Sequence, residues 1–150
     1  MLKCALIGFV SDKCKLFDSL VGSILNYNAA VWGYYDAKNI ELIHCKFLRK
    51  VLGVKGSANT IGLYGELGRY PMKIMREILM IKYWSKIAYS ENPLIKAIYN
   101  MMRNNANNGC TYGSLNYAYQ VKTLLQKNGL MHIWIRKESI DMQFDKLQKE

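Results

Sequence analysis

The residues able to do chemistry are few, and their spacing is poor. His44 and Cys45 adjoin, so on a helix they point about 100° apart and cannot readily share an ion. Cys4, Cys14, Cys110 and His132 show no ligand spacing, and no Cys-x-x-Cys pair occurs. Neither a metal nor another cofactor is expected. Nucleophilic catalysis needs a base beside the nucleophile and a third group to orient it. Two histidines outside any motif do not meet that need. Gly62, Gly65 and Gly68 recur at every third position, but no strand signal precedes them and no lysine completes a phosphate loop. Two-metal phosphoryl transfer requires clustered carboxylates. The eleven acids here are scattered, with no Asp-Asp pair. The expectation is a chain that is not an enzyme.

What remains is binding. Lys46, Arg49, Lys50 and Lys55 place four cations within one helix end and the loop after it, each able to meet a phosphate. Arg69 beside Tyr70 is a second candidate. For the first group the bland alternative is a solvated face. For Arg69 it is a local ion pair with Glu66. The eleven tyrosines and three tryptophans offer stacking surfaces for bases. At helical spacing, however, Trp32, Tyr83 and Trp84 read as core, while Trp134 is open to either role.

The elements that must position these residues are helices. Only two prolines interrupt a chain rich in Leu, Ile, Met and Lys. A first helix is expected from Ser11 or Asp12, with Leu16, Leu20, Ile24 and Tyr27 on one stripe and Gly33 as its stop. The apolar run Leu16–Tyr35 reads as a buried core helix, since Asp18, Asn26 and Asn28 interrupt it too often for a membrane span. Asp36 is the expected N-cap of a second helix with Ile40, Ile43, Phe47 and Val51 inward and the cations outward. Gly53 ends it. Thr60 should cap a short helix closed by Gly68, and Pro71 suits the first turn of a longer one carrying Ile74, Ile78 and Ile81. Asn92-Pro93 opens a helix with Leu94, Ile95, Ile98 and Met102 inward. Asn104 to Gly109 reads as a loop. Ser114 and Ser139 are candidate caps for two further helices, the first stopping at Gly129.

The fold class expected is therefore all-α, an irregular or orthogonal bundle of about six helices. Residues 1–103 would form the main body, 104–113 an Asn/Gly-rich loop and 114–150 a smaller C-terminal segment. With 150 residues and a 51% apolar composition, a domain core is affordable and whole-chain disorder is not expected. Lys and Arg outnumber Asp and Glu by 21 to 11, a formal charge of +10, which favours encounter with polyanions. Nucleic acid leads that class and an anionic membrane surface follows. Four dispersed cysteines and no secretory signal point to reduced thiols in the cytoplasm or nucleus.

Three blocks together resemble a known family. They are LFDSLVGSILNYNAAVWG (Leu16–Gly33), IELIHCKFLRKVLGVKGSANT (Ile40–Thr60) and YGELGRYP (Tyr64–Pro71). They look like the region downstream of the polymerase core in LINE-type, non-LTR retrotransposon reverse transcriptases. Asn128-Gly129-Leu130 with Ile133-Trp134 is similar to a later element of the same family. The likeness covers residues 12–90 well and 110–136 loosely, and Asn28 and Ala30 stand where the family usually shows glycine and glutamate. The resemblance implies a thumb-side helical region holding RNA, DNA or an RNA–DNA hybrid by its backbone. It also implies that the endonuclease and the palm with its catalytic aspartates belong to a separate, N-terminal part. The alternative function is a helical protein-interaction module, or an inert remnant, that relies on that polymerase domain as its partner.

Overall fold

Two glycines set the punctuation of the middle of the chain. Gly53 and Gly68 have φ of +67° and +58°, a left-handed conformation that costs a residue with a Cβ roughly 1–2 kcal/mol. Each closes a helix where the sequence reading placed a stop. The computed structural model describes residues 2–108 and 116–136. In chain order the elements are α1 (Leu2–Phe17), a π-helical turn (Asp18–Gly22), α2 (Ser23–Leu25), α3 (Ala29–Trp32) and α4 (Lys38–Leu52). Then come α5 (Thr60–Leu67), α6 (Met72–Ala88), α7 (Pro93–Asn107), α8 (Tyr117–Lys127) and α9 (Met131–Arg136). The described residues contain no strand, and six helices reach seven residues, so the protein is all-α with the expected number of substantial helices.

Capping chemistry explains most boundaries. Asn92 and Asn116 accept the amides of Leu94 and Ala118 at 2.9 and 3.0 Å, and Pro93 occupies the first helical position, where a missing N–H costs nothing. Two cap assignments shift by a residue or two. Asn59, not Thr60, accepts the Ile61 amide at 2.9 Å. Asp36 does not cap α4, whose N-cap is Ala37 with no side-chain bond. Residues 104–107, expected as loop, instead complete α7, and the Asn108 amide donates to the Asn104 carbonyl at 3.0 Å. The expected caps at Ser114 and Ser139 lie outside the described residues, as does Cys110.

The chain divides at Arg76–Glu77, inside α6, rather than near residue 103. The first unit comprises residues up to Ala29 and Tyr35–Arg76. Its core is aromatic: the Phe17 ring stacks on Phe47 at 4.0 Å and on His44 at 5.7 Å, and His44 meets Tyr64 at 5.8 Å. Cys14, Cys45, Leu48, Leu63 and Met72 are buried around them. The second unit comprises Ala30–Tyr34 and Glu77 onward. There Trp84 stacks on Trp134 at 5.2 Å with planes 5° apart and meets Tyr99 at 4.9 Å, over Met80, Val121 and Leu125. Tyr117 locks this unit, its hydroxyl lying 3.0 Å from the carbonyl oxygens of both Ala30 and Met80 and sharing its proton between them.

Several apolar faces point the other way from the sequence reading. Leu16, Leu20, Ile24 and Tyr27, expected in the core, are 58–80% exposed. The buried stripe is Cys14 and Phe17, followed by half-buried Val21 and Leu25. The π-helical turn widens the helix at Asp18 and rotates the faces beyond it. On α4 the buried residues are His44, Cys45 and Leu48, while Ile43 is 43% exposed. That face is turned about one residue from the expected one because Phe17 and Tyr64 pack on it. On α7 Leu94 and Ile98 are exposed, and Tyr99 and Ala106 are the buried positions.

Candidate nucleic-acid interface

Burial of His44, Cys45 and Leu48 turns the opposite side of α4 to solvent, and that side carries Lys46 and Lys50. Four residues apart, they project from successive turns about 6 Å apart along the axis. Gly53 then reverses the chain, with its own amide and that of Val54 bonded to the Arg49 carbonyl. Lys55 follows in an exposed turn that closes when the Ala58 amide donates to the Lys55 carbonyl at 3.0 Å. Lys46, Lys50 and Lys55 have no ion-pair partner among the described residues. The cluster therefore presents three uncompensated ammonium groups from a helix and a tied loop.

Arg49 plays another part. It is half-buried, and its Nη2 donates to the Ala58 carbonyl and to Thr60 Oγ1, both at 3.2 Å. It ties the loop that presents Lys55 through that one nitrogen. Arg69 also departs from expectation. Its guanidinium makes a two-pronged bond to the Asp18 carboxylate, one prong at 2.9 Å, across 51 residues of sequence. The local pair with Glu66 is not formed. Asp18 holds the Arg69 cation firmly in its charged form, outweighing the burial that opposes it. Of the five cations singled out, the structure gathers Lys46, Lys50 and Lys55 at one exposed end of α4 and uses Arg49 and Arg69 as internal ties.

Sequence reasoning missed the group that joins these elements. Glu41, on α4, accepts the Tyr64 hydroxyl, the Met72 amide at 3.2 Å and the Lys73 amide at 3.3 Å. A carboxylate thus caps α6 from 31 residues away, where the positive end of the helix dipole favours it. Cys45 Sγ lies 3.3 Å from the Tyr64 oxygen. Burial, then the Cys45 and Glu41 contacts, push the Tyr64 phenol well above its ordinary range, so it stays protonated and donates. His44 is fully buried, and neither ring nitrogen finds a hydrogen-bond partner in the described structure. Its Nδ1 stands 3.7 Å from Glu41, too far for a hydrogen bond. Burial, reinforced by the Arg69 charge, lowers its pKa below 6.5, and it is neutral at pH 7. No spacing rule announces such a cluster, because Glu41's partners Tyr64, Met72 and Lys73 lie 23 to 32 residues away and only packing unites them.

A cavity of about 490 Å³ in the first unit is walled by Val10, Leu52 and Leu67, with Cys14 and the Asp18–Arg69 pair along one side. The described residues hold no group of three His, Cys, Asp or Glu side chains able to bind a metal. No helix among them is long and apolar enough to cross a membrane. Comparison with known proteins finds no match: no family model, no curated protein and no solved structure is similar to the chain.

Proposed function

We propose that this protein is a non-catalytic nucleic-acid-binding segment, derived from the thumb-side region of a LINE-type reverse transcriptase, that holds RNA, DNA or their hybrid by the phosphate backbone. The observation that carries the reading is the exposed trio Lys46, Lys50 and Lys55, unopposed by acids and held on a loop that Arg49 ties in place. Ammonium groups carried on a tied backbone can meet phosphates without reordering the chain, and they read no sequence.

The family resemblance gains physical sense from the contacts. The three blocks that carry it are one another's partners: Phe17 with Phe47 and His44, Asp18 with Arg69, Glu41 with Tyr64. Asn28, standing at the family's glycine, has φ of +53°, a conformation that asparagine tolerates better than most residues. No paired aspartates occur in the sequence, so catalysis belongs to another part of the parent enzyme. The test is fluorescence anisotropy at low salt with labelled single-stranded RNA, DNA duplex and RNA–DNA hybrid of unrelated sequences. Binding without sequence preference is expected; no binding to any of them ends the reading.

One observation favours the second reading, a helical interaction module. Leu16, Leu20, Ile24 and Tyr27 are large apolar side chains exposed within one twelve-residue stretch, of the kind that marks a protein contact. In that case the first unit docks on a polymerase domain. Salt-independent self-association, with no nucleic-acid binding, is its signature.

A further inference from the structure

Tyr83 was expected in the core, yet it is 40% exposed while nearby Ile81 and Trp84 are buried. Its ring is not loose. It meets the Tyr117 ring edge-on at 6.2 Å and 71°, and Tyr117 is anchored through its hydroxyl to Met80 and Ala30. The Tyr83 ring is thus braced by one contact while part of the residue stays open to solvent. Lys82 precedes it and Lys86 follows one turn later, both exposed on the same side of α6. Tyr89, 48% exposed, extends that side by a further turn. Glu77 and Glu91 are the only acids among the described residues of this unit, against Lys82, Lys86, Lys96, Arg103, Lys122 and Lys127.

We infer that the outward face of α6 in the second unit is a contact for single-stranded nucleic acid, with Tyr83 stacking an unpaired base and Lys82 and Lys86 meeting the flanking phosphates. The inference rests on the nucleic-acid reading above but names a different surface and a preferred strand state. Duplexes bury their base faces, so an exposed ring set in a helical surface reaches only their backbone. A single strand can turn a base onto the ring, and such stacking tolerates every base because each has a π face. Bracing by Tyr117 reduces the freedom Tyr83 loses on binding.

The test uses the full chain, labelled oligothymidine and a labelled duplex of equal length. Tyr83→Ala is expected to weaken oligothymidine binding roughly five- to a hundredfold while leaving duplex affinity unchanged. Tyr83→Phe, which keeps the ring, is expected to retain wild-type affinity for both. Circular dichroism melts of each variant confirm that the helices persist. Lys82→Ala with Lys86→Ala should flatten the salt dependence for the single strand by about 1.4. Equal oligothymidine affinity for wild type and Tyr83→Ala overturns the inference and leaves the broader reading standing, as does an equal loss on both ligands. If the wild type binds neither ligand, both fall together.

Discussion

Replacing Glu41 should damage the first unit more than its half-exposed position suggests. Its carboxylate serves three donors from two other segments: the Tyr64 hydroxyl and the Met72 and Lys73 amides. Glu41→Gln keeps one acceptor oxygen but removes the charge. The lost attraction to the α6 terminus is worth about 0.3–1 kcal/mol, and bonds to a neutral acceptor are roughly half as strong as those to a carboxylate. Together these give about 2 kcal/mol. Glu41→Ala leaves all three donors without their acceptor. The Lys73 end is exposed and finds water, but Met72 is buried and Tyr64 half-buried, so the loss rises to about 3–4 kcal/mol. Urea denaturation followed by far-UV circular dichroism is the appropriate assay. Trp32, Trp84 and Trp134 all belong to the second unit, so their fluorescence is blind to the first. The midpoint should fall in the order wild type, Gln, Ala. An Ala variant within about 0.5 kcal/mol of wild type refutes the argument that Glu41 is the tie between α4, α5 and α6.

Three further outcomes follow from the same contacts. Because burial lowers the His44 pKa, the unfolded chain takes up its proton at a higher pH than the folded chain does, so stability declines as pH falls through 6.5 and is unaffected well above it. His44→Leu should reduce that decline, as read by denaturation midpoints between about pH 7 and 5. Arg49→Ala should cost about 1–2 kcal/mol through loss of its bonds to Ala58 and Thr60, whereas Lys50→Ala should stay within about 0.5 kcal/mol and weaken only binding; paired melts and anisotropy titrations separate the two. Trp84→Ala removes the ring that contacts both Trp134 and Tyr99 and should cost about 3–5 kcal/mol, measured by chemical denaturation.

The sequence made helix content and most helix ends legible, because those depend on local chemistry. Gly53, Gly68 and the Asn92-Pro93 pair act within four residues of themselves. Faces were less legible. The first helix has apolar residues on more than one side, and periodicity alone cannot say whether Leu16 and Leu20 or Cys14 and Phe17 face inward; the stacking of Phe17 on Phe47 and His44 settles it. For the candidate interface, Lys46, Lys50 and Lys55 were visible as a cluster because an exposed lysine needs no partner to declare itself. Arg49 and Arg69 were not separable from them, since their acceptors lie 9 to 51 residues away. Glu41 was invisible for the same reason: nothing local marks a carboxylate that caps a helix two elements on.

Salt titration of nucleic-acid affinity bears most directly on the central claim. Each phosphate neutralised on a single strand contributes about 0.7 to the fall of log affinity with log salt. The triple variant Lys46→Ala, Lys50→Ala, Lys55→Ala should therefore lower that slope by about 2 for every sequence tried, with an unchanged melt. A wild-type slope near zero, or one that the triple variant leaves intact, contradicts a phosphate-holding role for the end of α4.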